Sequence, residues 1–206
     1  IKDARNPVLM PDTPWENGAS QPNVIYDHDD AIFRMWYTVS DWNAWMHQFR
    51  FKDWNAEEHG YPYSVGYAES PDGVNWIKPR MEGRPYLDHP KTNVVVTGQQ
   101  KAQAVRVMWN PGSTNRPERF LMTYKDNRPE GKGAFCLAYS DDGINWSEDE
   151  RNPVFTSARD TWQNMIFDAF RKRWLLYTRP VCYAGTANVP DGPTENNYKR
   201  RVAVMV

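Results

Sequence analysis

The chain has 206 residues, of which 40% are apolar and 14% aromatic, which suits one domain with a hydrophobic core. Its 25 basic and 26 acidic side chains leave a formal net charge of -1, so no basic field attracts nucleic acid or anionic lipid. We expect neither nucleic acid nor a membrane as a partner, and no apolar run is long enough to cross a bilayer.

The spacing of cysteines and histidines predicts no metal site. Cys136 and Cys182 lack the CxxC spacing of zinc or redox sites, and two cysteines are too few for a disulfide scaffold. The four histidines form no HxH or HxxxH pair that would bring two imidazoles onto one metal. We therefore expect free buried thiols, and neither a transition metal nor a cofactor.

Pairs of short β runs around a polar turn occur three times along the chain, and each pair predicts two neighbouring strands of a sheet. The pairs are Val24–Asp27 with Ile32–Tyr37, Val107–Asn110 with Arg119–Tyr124, and Met165–Asp168 with Arg173–Tyr177. The entry to the first and third pairs also repeats, as Asn6–Leu9 and Asn152–Phe155.

A second repeat, SxDGxNW, follows the first two pairs in Ser70–Trp76 and Ser140–Trp146, at an offset of 70 residues. The Asp-Gly step is typical of a tight turn, because glycine adopts a positive φ and aspartate bonds the turn backbone. The repeat therefore predicts a hairpin whose second strand carries a packing tryptophan.

The repeats together predict an all-β chain of four-stranded antiparallel units. Such sheets bury both faces when they stack around a channel as the blades of a β-propeller. We expect a single propeller domain over residues 1–206, with blades at about 6–79, 80–149 and 150–206. Three blades leave exposed edges, so we expect either an incomplete part of a larger ring or, if the chain is complete, a homo-oligomer.

An insertion of about 25 residues, 38–62, replaces a short hairpin loop and is rich in aromatic side chains. Long loops on a rigid scaffold commonly carry binding sites, and indole faces stack on sugar rings. Trp42, Trp45 and Asp41 are therefore candidate ligand contacts, with Glu57 and Glu58 as secondary carboxylates. The alternative is that these aromatics pack the loop on its blade or on a second subunit.

These motifs together are similar to those of the five-bladed β-propeller glycosidases of families 32, 43, 68 and 130. The motifs that carry the resemblance are Asn6–Leu9, Pro14–Asn17, Val24–Asp27, Phe33–Tyr37, the two SxDGxNW turns and Arg200–Ala203. The chain resembles most a bacterial family 32-like branch. The resemblance implies a glycoside hydrolase, or a phosphorylase, that acts on a poly- or oligosaccharide and is secreted or periplasmic.

The resemblance also implies an axial funnel lined by one acid from each of the first three blades, but this chain departs from that pattern. The family carries Asp-Pro where the chain has Gln21-Pro22, and residues 89–117 contain no acid. Gln163 and its neighbours stand where the third acid is expected. The usual catalytic triad therefore cannot be carried over.

Glycoside hydrolysis needs two carboxyl groups that flank the scissile bond. Glu16 and Asp160 lie in comparable loops ahead of the first and third inner strands, so we expect them to act as acid and as base or nucleophile. The alternative is that both are ordinary turn acids, with Asp160 paired to Arg159.

Amide, aromatic and guanidinium groups near the predicted funnel are suited to bind hydroxyls, sugar faces or an acidic group. The substrate-binding candidates are Trp15, Gln21, Asn23, Asp41, Trp42, Trp45, Arg106, Arg159 and Gln163. Because the family acids are missing, the main rival to an enzyme is a catalytically silent propeller that binds a glycan. A purely structural assembly module is the third alternative.

Overall fold

A computed structural model describes residues 4–50, 55–111, 118–128, 131–156, 163–178 and 202–206. The first sheet contains β1 (Gly18–Asp27), β2 (Ile32–Ser40), β3 (Tyr63–Ser70) and β4 (Val94–Val96), antiparallel and in that order. Helices α1 (Trp42–Arg50) and α2 (Ala56–His59) lie between β2 and β3, inside the predicted insertion.

The second sheet repeats this order with β5 (Gln103–Trp109), β6 (Phe120–Arg128), β7 (Gly131–Ser140) and β8 (Ser147–Glu148). A third sheet contains β9 (Asn164–Asp168), β10 (Arg173–Thr178) and β11 (Ala203–Met205). The described residues are therefore nearly all strands and turns, as the repeats predicted.

The SxDGxNW segments form the predicted turns. The carboxylate of Asp142 accepts hydrogen bonds from the backbone N–H groups of Ile144 and Asn145 at 2.8 and 2.7 Å, and Gly143 has a φ of 75°. Asp72 makes the equivalent contacts in the first sheet.

The outer strand of the first sheet differs from the expected hairpin. Only Ile77 of the segment after the turn bridges back to the sheet, at Glu69, and β4 supplies the fourth strand from beyond residue 79. In the second sheet β8 does follow the turn directly. A strand that returns after a long excursion leaves no local pattern, which is why the sequence did not indicate β4.

The sheets pack face to face in chain order. Trp36 and Tyr67 of the first sheet pack against Phe120 and Met122 of the second, and the Trp36 indole N–H donates to the carbonyl of Gly143 at 2.7 Å. Leu121 and Leu137 on the other face of the second sheet pack against Met165 and Leu176 of the third. The second sheet is thus covered on both faces, as an interior blade is.

An ion-pair cluster joins the first two sheets at the turn between β1 and β2. The buried carboxylate of Asp27 accepts from Arg34 and from Arg119 of the second sheet, both at 2.8 Å. Burial alone would raise the pKa of Asp27. The hydrogen bonds and charges of the two arginines together have the larger effect, so the pKa of Asp27 lies below its ordinary value.

Candidate functional site

The inner strands β1 and β5 carry the same bulge near their first residues. The register of β1 shifts between Ser20 and Asn23, and Gln21 has a φ of 53°. The register of β5 shifts in the same way, and Ala104 has a φ of 56°. Because a bulge re-aims side chains, it sets the direction of whatever residue occupies this position.

Gln21 presents an amide at the bulge where the resembling family has an acid. The side chain is half-buried, and its Oε1 accepts a hydrogen bond from the Thr38 hydroxyl at 3.1 Å. An amide does not titrate, so this position offers hydrogen bonds and no acid–base chemistry.

Helix α1 places an exposed indole beside the start of β1. The Asp41 carboxylate caps the helix, accepting from the N–H groups of Asn43 and Ala44 at 2.9 and 3.2 Å. Asn17 accepts from the Trp42 N–H at 3.0 Å, and the Trp42 ring lies against Gly18. Trp42 is 49% exposed, so one side of its ring is available to a ligand.

The neighbouring aromatic of α1 supports this arrangement. Trp45 is half-buried, meets Trp42 edge to face at 6.1 Å between ring centroids, and hydrogen-bonds Tyr63 at the start of β3. We use the term mouth for this end of the first sheet, formed by Gly18–Gln21, Trp42 and the loop 97–102.

A buried acid shapes the loop of the mouth. Asp126, which is 0% exposed, accepts from the backbone N–H groups of Gln99, Gln100 and Lys101 at 2.8 to 3.1 Å. Arg128 donates to the same carboxylate at 3.2 Å. Asp126 therefore holds the loop in place and is not open to a substrate. The sequence did not single it out, because the loop that it holds lies at least 25 residues away along the chain.

Glu16 is buried on the face of the first sheet that points away from the second sheet. It accepts from the Tyr37 hydroxyl and from the Lys78 ammonium, both at 2.5 Å, and its side chain is 0% exposed. Lys78 also pairs with Asp12 at 2.8 Å. Burial and the adjacent Glu16 raise the pKa of Tyr37 well above its ordinary range.

The same trio recurs in the second sheet. Tyr124 occupies the register position of Tyr37, and its hydroxyl donates to Glu148, which Arg128 also binds at 2.7 and 2.8 Å. A tyrosine, a glutamate and a cation thus form one structural unit in both sheets. This repetition explains the position of Glu16 without any catalytic role.

The structure places the other predicted binding residues in different parts of the fold. Trp15 is 3% exposed, with its N–H donated to Asn93 at 2.9 Å, so its ring faces are covered. Asn23 accepts from the Val107 N–H of β5 at 2.5 Å and links the two inner strands. Gln163 is buried ahead of β9. Asp160 and Arg159 lie outside the described residues.

Arg106 lies on the inner strand β5 and is exposed. Its neighbour across the strand pair is Thr123, and Lys125 follows on the same face of β6.

Across the parts of the chain that the structure describes, no cluster of three or more histidine, cysteine or acidic side chains is placed to hold a metal ion. Nor does any helix among them have the length and apolar character needed to span a membrane.

Solved structures with similar folds include glycoside hydrolases. A protein from Parabacteroides distasonis assigned as a glycoside hydrolase is 14% identical, with a TM-score of 0.52, over 85% of this chain and 52% of its own. The four-stranded antiparallel sheets, with this similarity, confirm the predicted fold class, whereas the family 32-like branch stays a prediction.

Two further structures match less closely. A thermostable family-43 glycoside hydrolase matches 83% of this chain and 45% of its own, at 14% identity and a TM-score of 0.48. Fructan 1-exohydrolase IIa from Cichorium intybus in complex with 1-kestose matches 87% and 31%, at 16% identity and a TM-score of 0.44. The chain thus spans about half or less of the length of each of these three proteins. No protein-family model and no curated protein matches the sequence.

Proposed function

We propose that this chain is part of a carbohydrate-active protein and binds a poly- or oligosaccharide at the mouth. The observation that carries this proposal is the exposed ring of Trp42 beside the start of β1. The half-buried amide of Gln21 lies on the neighbouring strand β1, where it accepts from the buried hydroxyl of Thr38. A flat apolar ring flanked by hydrogen-bonding groups is the combination that suits a sugar, which has apolar faces and hydroxyl edges.

The contacts of the acidic side chains favour ligand binding over catalysis at the mouth. Asp41 caps α1, Asp126 holds the loop, and Glu16 is enclosed by Tyr37 and Lys78. Each of these carboxylates already has its partners, so none is presented to a glycosidic bond in the way that hydrolysis requires.

Glycoside hydrolysis or phosphorolysis by the whole protein is the second candidate. It is supported by the motifs that resemble propeller glycosidases and by Asp160, the predicted acid outside the described residues. Secretion or export to the periplasm accompanies either candidate as a proposal. Assaying glycans for released reducing sugar or sugar phosphate, with and without phosphate, separates an enzyme from a binding protein.

The test of saccharide binding is a panel of plant and algal glycans measured with Trp42→Ala. Removing the ring removes the stacking surface, so we expect at least about a tenfold loss of affinity, which corresponds to about 1.4 kcal/mol. The matched control is Trp109→Ala, since Trp109 is 41% exposed at the opposite end of β5. Equal losses in both variants, or none in Trp42→Ala, would contradict the proposed site.

A further inference from the structure

Arg106 is a positive charge in a stretch of sequence that contains no acid. Residues 89–117 contain Lys91, Lys101, Arg106 and Arg116 and no aspartate or glutamate. The residue opposite Arg106 on β6 is the neutral Thr123. Among the described residues Arg106 has no ion pair, and its side chain is exposed.

Other arginines of the strands and turns have a different environment. Arg34 and Arg119 bind Asp27, Arg128 binds Glu148, and Arg151 binds Asp149. In each of these four cases an acid lies beside the arginine, whereas Arg84 binds the amide of Asn145. Within the described residues Arg106 has no such partner, so its exposed guanidinium can receive an anion from outside the chain.

Arg106 is also within reach of a ligand that starts at the mouth. The N–H of its neighbour Val107 bonds Asn23, which lies five residues along β1 from Gly18. At about 3.3 Å per residue, this places Arg106 roughly 15 Å from the start of β1 along the strand direction. An oligosaccharide stacked on Trp42 covers such a distance.

We propose that Arg106 binds an anionic substituent, a carboxylate or a sulfate ester, of the saccharide, so that the preferred ligand is an acidic glycan. This inference rests on the proposed function. Arginine is suited to this task because its planar guanidinium carries a fixed charge and donates two parallel hydrogen bonds to two oxygens.

The test compares paired glycans that differ only in charge. Oligogalacturonate and its methyl ester form one pair, and a sulfated galactan and its desulfated form are the other. Affinities are measured by calorimetry for the unaltered chain, for Arg106→Gln and for Arg173→Gln. Arg173 is the matched control, because it is an exposed arginine at the first residue of β10.

We expect one acidic glycan to bind at least about tenfold more tightly than its neutral form, and the two pairs show whether the anion is a carboxylate or a sulfate. Arg106→Gln should abolish this preference and leave binding of the neutral form unchanged, while Arg173→Gln keeps the preference. Equal affinity for charged and neutral forms would overturn the role of Arg106 and leave saccharide binding standing. Binding of no glycan would overturn both.

Discussion

Glu16 and Glu148 show that one arrangement of side chains serves both of the first two sheets. Each glutamate accepts from a tyrosine of the second strand and pairs with a cation, Lys78 or Arg128. The paired, buried carboxylate of Glu16 is costly to disturb and hard for a substrate to reach, whereas the side chain of Glu148 is 44% exposed. The contacts of Glu16, one of the two predicted catalytic acids, are explained by the stability of the blade, and its catalytic role stays a prediction.

We predict that Glu16→Gln lowers the free energy of unfolding by about 2 to 4 kcal/mol, because it leaves the Lys78 ammonium buried with only the exposed Asp12 as an acid partner. Urea unfolding measures this loss. The control Glu150→Gln changes an exposed acid and should alter stability by less than about 0.5 kcal/mol. A Glu16→Gln protein of unchanged stability that lost a glycan-cleaving activity would show that Glu16 is catalytic.

The SxDGxNW turn acts as a contact between sheets as well as a hairpin. Gly143 presents its carbonyl to Trp36, and Arg34 donates to the Asp142 carbonyl at 3.3 Å. The first sheet thus holds the turn of the second by two side chains.

We predict that Gly143→Ala destabilises the chain by about 3 kcal/mol or more. The new Cβ would lie 2.6 Å from the Trp36 ring, and the residue has a φ of 75°. Gly83→Ala is the matched control, since Gly83 has a φ of 69° and no atom within 4 Å of the added Cβ. It should cost about 1 kcal/mol in chemical denaturation. Equal losses would mean that the contact with Trp36 contributes nothing.

The strands and turns were predictable because their signals are local, whereas the role of each site residue depends on distant partners. Alternating apolar residues and the Asp-Gly steps predicted β1 to β3 and the two turns. Trp15 bonds Asn93, 78 residues away, and Glu16 bonds Lys78, 62 residues away. No local pattern reports such contacts, so the sequence placed both residues in a funnel. Trp42 was predicted as a ligand contact, and its exposure agrees with that role.

On the scale of the whole molecule, the two ends of the first two sheets differ. The turn end is tied together by the cluster of Asp27, Arg34 and Arg119, and the pKa of Asp27 is held low by its two arginines despite its burial. The opposite end carries the exposed ring of Trp42 and the amide of Gln21. The ion-pair cluster thus lies at one end, and the groups that we propose to bind a ligand lie at the other.

The most direct test of this account is a crystal structure of the chain with the glycan that binds most tightly in the panel. We predict a sugar ring stacked on Trp42 at the start of β1, with the saccharide running along the inner strands and an acidic group on Arg106. A saccharide bound elsewhere, with the Trp42 ring bare, would contradict the account.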